Sequence, residues 1–299
     1  MRIVISLGNS ALDAGPSVGS VSASDRFRGV QIAARGVHAL LDAGHEVLVT
    51  HPHAHRGAEG GIVPGALERT PLANQEARDE GLLGYLLEQT LRNVDGATRP
   101  FVTVVTHTLV DARDPAFVNP TALIGPSVGE AEARRLERSM HWNMQPDGDY
   151  WRRAVAEPEP VTVLQHEAIG RLLDGGHTVL CAGAGIPVVR DVQRHERGVE
   201  ARVDKDLGSA LLAREVRADA LLIATDVAGV YADWSSPESC CLKEISVDAL
   251  ALEDYEARTV RPKLDAAARA VRHGSRVVIG AVGDLVPMLE GRAGTRVVA

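Results

Sequence analysis

The feature that most constrains the fold of this chain is a repeated switch between two hydrophobic periods. Short runs rich in Val, Ile and Leu, each closed by Gly, Asp, Pro or His, recur at 2–7, 46–50, 101–106, 178–181, 220–225 and 276–279. Their near-continuous apolar character is that of strands buried on both faces. Between them apolar residues step by three or four, as in Phe27, Val30, Ala34, Val37 and Leu41, or Leu264, Ala267, Ala268 and Val271. That is the spacing of one helix face. Strand alternating with helix predicts an α/β fold, a mostly parallel sheet covered by helices on both faces. Glycines at 44 and at 175–176 stand where a helix has to stop before the next strand.

The pattern breaks between 111 and 160, where Pro115, Pro120, Pro126, Pro146, Pro158 and Pro160 accumulate and only 131–138 keeps helical spacing. This stretch reads as an excursion from the sheet, a small lid subdomain within a single domain over 1–299. With 45% hydrophobic and 24% charged residues the chain has the composition of a folded globular protein, outside the regime of disorder. Its 32 Lys+Arg against 40 Asp+Glu give a net charge of −8, and no basic stripe overrides it, which argues against nucleic acid as a partner. No apolar run approaches the roughly 20 residues that cross a bilayer, and the apolar start is too short for a signal peptide. The expectation is a cytoplasmic protein without membrane contact. Cys181, Cys240 and Cys241 fit no disulfide framework and read as reduced thiols.

In open parallel sheets ligands bind beyond the carboxyl ends of the strands. Four such ends here are polar or glycine-rich. They are Leu7-Gly8-Asn9-Ser10-Ala11, His51-Pro52-His53-Ala54-His55-Arg56-Gly57, Ala182-Gly183-Ala184-Gly185-Ile186-Pro187 and the turn from Thr225 through Asp226 and Val227 to Tyr231. Together they predict one shared crevice. Glycines let backbone N–H groups approach phosphate oxygens. Gly183 and Gly185 could open a dinucleotide fingerprint, but its third glycine is missing and 187–189 looks extended, so a nicotinamide enzyme is disfavoured. Gly8 and Asn9 have the alternative reading of a helix cap.

Lys205 stands between Asp204 and Asp206 just ahead of a helical pattern carrying Leu207, Leu211 and Leu212. Taken alone this is a solvated ion cluster at a helix start. Lys263 follows Pro262 in the first turn of another helix, where it competes with the helix dipole unless an anion lies nearby. Phosphate would be such an anion, and phosphoryl transfer depends on positive charge around the migrating group.

The sequence resembles the carbamate kinases of the amino acid kinase superfamily. The most specific blocks are Asp79-Glu80-Gly81-Leu82-Leu83-Gly84-Tyr85-Leu86-Leu87-Glu88-Gln89, Asp114-Pro115-Ala116-Phe117-Val118-Asn119-Pro120-Thr121 with Ile124-Gly125-Pro126, Tyr150-Trp151-Arg152-Arg153, and Gly198-Val199-Glu200-Ala201 leading to Asp206. The resemblance implies a three-layer αβα sandwich, a homodimer, a lid formed by 111–160, and phosphoryl transfer between ATP or ADP with Mg²⁺ and a small acid. Carried over by position, Lys205 holds the nucleotide phosphates, Lys263 stabilises the migrating group and Asp206 orients both lysines. Asp226, Val227 and Tyr231 border the nucleotide, while Gly8, Gly183 and Gly185 face phosphates.

The departures fall on the acceptor side. Asn9 and Ser10 follow Gly8 where the family has GGNA, and the family's HGNGPQ turn is here His51-Pro52-His53-Ala54-His55-Arg56. Pro52 removes one N–H. Ala122 stands where the family carries a lid lysine, and the turn before Ile186 is one residue shorter. Asn9, Ser10, His51, His53, His55 and Arg56 are the candidates to contact a small anionic acceptor. A metal held by the alternating histidines and a solvated loop are the other readings of that segment. For the whole chain the alternatives are a kinase with a changed acceptor and a nucleotide-binding relative that has lost transfer.

Overall fold

A computed structural model describes residues 1–12, 23–53, 70–232, 240–252 and 260–299. The chain runs from β1 (Arg2–Leu7) through α1 (Asn9–Leu12), α2 (Ala23–Asp42), β2 (Glu46–His51), α3 (Leu72–Asp95), β3 (Phe101–Thr103) and β4 (His107–Val110). Then come β5 (Ala122–Val128), α4 (Glu130–Met140), β6 (Asn143–Asp147), β7 (Tyr150–Val155), β8 (Pro160–Val163), α5 (His166–Asp174), β9 (Thr178–Ala182), β10 (Ile186–Arg190) and β11 (Glu196–Gly198). The last part holds α6 (Lys205–Glu215), β12 (Ala220–Thr225), β13 (Tyr231–Ala232), β14 (Cys240–Cys241), β15 (Glu244–Ser246), α7 (Val247–Leu252), α8 (Arg261–Arg272), β16 (Arg276–Ala281), α9 (Leu285–Glu290) and β17 (Thr295–Val298).

Eight strands form the central sheet in the order β15-β17-β16-β12-β1-β2-β9-β3. Six of them run parallel; β17 is antiparallel to β16 and carries β15 beside it. The period of two along β1 sorts its side chains between two cores. Ile3, Ile5 and Leu7 pack with α2, α3 and α9, and Val4 packs with α5, α6 and α8. The result is the three-layer αβα sandwich that the alternating periods predict. Strand order reverses at β1: β2, β9 and β3 lie on one side of it, β12 and β16 on the other. Such a switch point leaves a crevice at the carboxyl ends of β1 and β12, because the loops leaving them diverge.

The 111–160 excursion is framed by β4 and β8, antiparallel neighbours in a second sheet of order β11-β10-β4-β8. Inside it β5, β7 and β6 form a separate three-stranded sheet, and α4 covers it with Ala133 and Leu136 against Met144. Among the described residues no helix is long and apolar enough to cross a membrane.

One strand ends earlier than its sequence suggests. The run at 101–106 predicts a strand to Thr106, but β3 stops at Thr103. Val104 still donates to Leu180 O at 2.8 Å, after which the Thr106 N–H turns to the Glu80 carboxylate at 3.0 Å. A side-chain acceptor from α3 has replaced the next rung of the sheet.

Candidate functional site

Ser6 and Thr50 interrupt apolar rows in buried strands, and both are fully buried. Their side of the sheet faces α6, so the same alternation that buries Val4 and Leu48 aims two hydroxyls at the start of that helix. A buried hydroxyl needs partners. Ser6 Oγ donates to Asp206 Oδ1 at 2.8 Å, accepts from Lys205 Nζ at 2.6 Å and lies 3.1 Å from Ser209 Oγ. Thr50 Oγ1 and Ser209 Oγ are 2.7 Å apart, and Ser209 donates to Lys205 O.

Asp204 caps α6: its carboxylate accepts from the N–H groups of Asp206 and Leu207, both at 2.9 Å. The cap fixes the first turn, and with it the directions of Lys205 and Asp206. Lys205 Nζ binds Asp206 Oδ1, and Lys263 Nζ, from the first turn of α8, lies 3.3 Å from Oδ2. One carboxylate thus takes a different ammonium on each oxygen. Burial works against the charge on Asp206, but Lys205, Lys263 and the Ser6 hydroxyl overcome it and hold the acid well below the usual carboxylate range. Burial pushes the Lys205 ammonium down, and Asp206 offsets part of that. The Lys205 side chain is 12% exposed and that of Lys263 25%, so both cations reach the surface of the crevice.

The strand ends gather around this pair. The Gly8 N–H donates to Ala224 O at 2.9 Å, joining β1 to β12, and Ser10 Oγ lies 3.3 Å from Thr225 Oγ1. Thr225 in turn donates to Asp226 Oδ1 at 2.9 Å. Across β1, Gly183 N–H donates to His51 O at 2.9 Å and ties β9 to β2. A Cβ on Gly183 would stand 2.8 Å from Lys205 Cγ and 2.7 Å from Lys205 O, so only glycine lets the turn lie against that lysine. Gly185 closes the turn with φ 60°. Lys205, Asp206, Lys263, Gly8, Ser10, Gly183 and Asp226 are therefore all carried on the carboxyl edge of the sheet. Tyr231 sits to the side in the β13–β14 hairpin, where it pairs with Cys241, and Val227 lies in the turn between.

His51 and His53 do point the same way, as their alternation requires, but into the protein. They are 0% and 1% exposed. His51 Nε2 lies against Gly84 of α3, and His53 Nδ1 is 3.9 Å from Glu76 Oε1 of the same helix. His51 is one residue past Thr50, so it falls on the α3 side of the sheet, opposite the lysine cluster. Period alone gave the shared direction and not the side. Burial lowers the His51 ring to about 4, which makes it neutral near pH 7. His55 and Arg56 lie outside the described residues. Ala122 is 9% exposed and packs with Leu72, Ile124 and Val155 in a small apolar cluster at the base of the excursion.

Residues 1–281 match the profile of the amino acid kinase family. The chain belongs to the amino acid kinase family. It is 38% identical over 303 residues to the carbamate kinase of Rhizobium meliloti, with 99% of this chain and 92% of that protein covered. It is 36% identical over 302 residues to the carbamate kinase of Haemophilus influenzae, with 99% and 96% covered. Its structure matches the carbamate kinase of Giardia lamblia bound to AMP-PNP with a TM-score of 0.86 at 30% identity, covering 99% of this chain and 98% of that one. This amino acid kinase is accordingly a carbamate kinase-like phosphotransferase.

Sequence reasoning missed the groups behind the lysines. Ser6, Thr50 and Ser209 were legible only as polar residues in apolar rows. Glu76 and Glu80 carry a clearer mark. The buried stripe of α3 reads Leu72, Glu76, Glu80, Leu83, Leu87, Leu91, so two acids occupy core positions of an amphipathic helix. Acids in such places are rare unless they are bonded or functional.

Proposed function

We propose that this chain transfers a phosphoryl group between ATP and carbamate or a closely related small acid, with Lys205, Lys263 and Asp206 as its catalytic residues. The observation that carries this reading is the pair of ammonium groups on opposite oxygens of Asp206, at a strand-end crevice walled by a glycine turn. Phosphoryl transfer asks for fixed positive charge around a group whose charge spreads over three oxygens. Asp206 holds two mutually repelling cations at fixed separation, and Asp204, Ser6 and Gly183 fix the approach of one of them. Gly8, Gly183 and Gly185 border the phosphates, while Asp226, Val227 and Tyr231 border the rest of the nucleotide. The acceptor side is assigned to Asn9, Ser10 and the 51–56 segment, in which His51 and His53 are buried and His51 is neutral near pH 7.

Among the described residues there is no group of three or more His, Cys, Asp or Glu side chains able to hold a metal ion. Asp206 is occupied by its lysines. That donor set suits Mg²⁺ carried on nucleotide phosphates, the usual arrangement for this cation in kinases. When bound there it neutralises phosphate charge.

The deciding experiment is ATP formation from ADP, Mg²⁺ and carbamoyl phosphate by the purified protein. Turnover in the usual enzymic range, about 1–1000 per second, is the expected result. ATP formed only from another acyl phosphate such as acetyl phosphate would reassign the acceptor. No transfer from either, with ADP still bound, would favour a nucleotide-binding relative that has lost catalysis.

The 111–160 excursion closes over the crevice as a lid, swinging on the β4–β8 pair. The chain also pairs with a second copy through α3 and β3. Leu82, Tyr85 and Leu86 are exposed at helical spacing on α3, Val105 is exposed beyond β3, and β3 is an edge of the central sheet among the described residues. An apolar helix face beside a sheet edge is a self-complementary surface. Light scattering is expected to give a dimer mass for the wild type and a monomer mass for Tyr85→Glu. A monomeric wild type would end this assignment. The crevice chemistry and the free thiol of Cys181 suit a cytoplasmic enzyme.

A further inference from the structure

The wall between β2 and α3 holds ionisable groups that the lysine cluster does not use. Glu76 and Glu80, one turn apart on α3, are both 0% exposed. Glu80 Oε1 accepts three hydrogen bonds: from Thr106 N at 3.0 Å, Thr106 Oγ1 at 2.8 Å and Ala182 N at 2.9 Å. These donors stand at the two ends of the glycine turn. Ala182 leads into Gly183, and the Thr106 carbonyl receives the N–H of Ile186, just past Gly185, at 2.7 Å. Thr108 Oγ1 holds the middle by donating to Ala184 O at 2.6 Å. The turn meets α6 without slack: a Cβ on Gly208 would stand 1.9 Å from Gly183 O. A displaced turn therefore displaces Lys205.

We propose that Glu80 is a positioning residue whose carboxylate clamps both ends of the 183–185 turn and, through that turn, fixes Lys205 in the crevice. The kinetic consequence rests on the phosphotransferase reading; the clamp itself does not. A positioned lysine matters because small misplacements of a catalytic group cost rate steeply.

The clamp also senses protons. Burial raises the Glu80 carboxyl to about 7, against the opposing hydrogen bonds from Ala182 and Thr106. Oε2 has no hydrogen-bond partner among the described residues and is where the proton sits. An ionised oxygen holds N–H donors more strongly than a neutral acid does, so the clamp is tight above pH 7 and slack below. Two acids on the same helix are also raised, and their variants separate their titration from that of Glu80. On α3, burial raises Glu76 well above the usual range and Asp79 to about 6. From β2, His51 is lowered to about 4, and the His53 ring faces Glu76. From β9, burial raises the Cys181 thiol, and Lys205 lies beyond His51. Because the folded state raises Glu80, its ionisation lowers stability as the pH climbs from about 4.5 towards 7. The charge is thus kept at a cost to folding, and a neutral Gln in its place should fold at least as well at pH 8.

The test compares wild type, Glu80→Gln, Glu80→Ala, Glu76→Gln and Asp79→Asn by steady-state kinetics from pH 5.5 to 9, with hydrogen exchange of segment 182–186. Glu80→Gln is expected to lose on the order of tenfold in kcat at pH 8, with nucleotide KM within about threefold. It should also lose the wild-type inflection near pH 7. Its turn amides should exchange on the order of tenfold faster at pH 8, with Glu80→Ala larger in both readouts. Glu76→Gln and Asp79→Asn keep the inflection. Glu80→Gln amides that exchange as in the wild type, or an inflection that survives in Glu80→Gln, would overturn the proposal. If the wild type shows no transfer, the phosphotransferase reading falls, and the exchange measurement still decides the clamp.

Discussion

Lys263→Ala is expected to lower kcat by on the order of a hundred- to a thousandfold while leaving the protein folded, the scale on which losing one fixed charge-stabilising donor acts. Two features of its place in the structure separate activity from stability. Lys263 stands in the first turn of α8, where a cation opposes the helix dipole, so removing it relieves an unfavourable term of about 0.3–1 kcal/mol. The same change takes one of two ammonium groups from Asp206, whose other oxygen keeps Lys205 and the Ser6 hydroxyl. These effects oppose each other, and the net change in unfolding free energy is expected to stay within about 1 kcal/mol. If Lys263 acts on the migrating group, kcat and kcat/KM fall together, because the interaction exists only in the transition state. A rise in nucleotide KM at constant kcat would instead place Lys263 in ground-state nucleotide binding. Lys263→Arg recovers little, since a planar guanidinium cannot occupy the point-charge position beside Asp206 Oδ2.

Most of what locates this site was legible in the sequence, because it follows from short-range rules. The six buried runs marked the six parallel strands of the central sheet, and their polar ends marked the carboxyl edge. Lys205 between two acids and Lys263 after Pro262 were visible as cations at helix starts. What the sequence withheld depends on partners far along the chain. That Asp206 holds both lysines requires α6 and α8 to lie side by side, which is set by the packing of Leu212, Leu264 and Ala267 in one core and not by local spacing. The side on which His51 and His53 fall was withheld for the same reason. Their period was readable, but the face depends on the parity of β2, in which Val47 and Val49 pack towards α3 and Thr50 towards α6. Thr106 left the expected strand because an acid 26 residues earlier captured its N–H.

Asp206→Asn should be the most destabilising single change in the site, at about 3 kcal/mol, the lower end for breaking a buried ion pair because both lysines keep some solvent access. Asparagine fits the same space and can still accept from Ser6 or Lys205, so the loss is the loss of charge. Two ammonium groups that shared a carboxylate are left facing each other. The pH dependence identifies the cause. Asp206 is held far below its usual range in the folded protein, so its contribution is complete above the unfolded carboxylate value of about 3.9 and fades only as the pH falls below that. The difference between wild type and variant is therefore flat from pH 5 to 8. At alkaline pH it narrows from the other side: Lys205, already lowered by burial, loses the support of Asp206 in the variant and sheds its proton earlier. Anions supply a second test. Phosphate or ADP between the two lysines replaces the missing charge, so either ligand should raise the unfolding free energy of Asp206→Asn by more than that of the wild type. Urea unfolding at pH 5, 7 and 9, with and without ADP, measures all three effects. A variant as stable as the wild type, or one that ADP stabilises no better, would mean that Asp206 does not hold the lysines together.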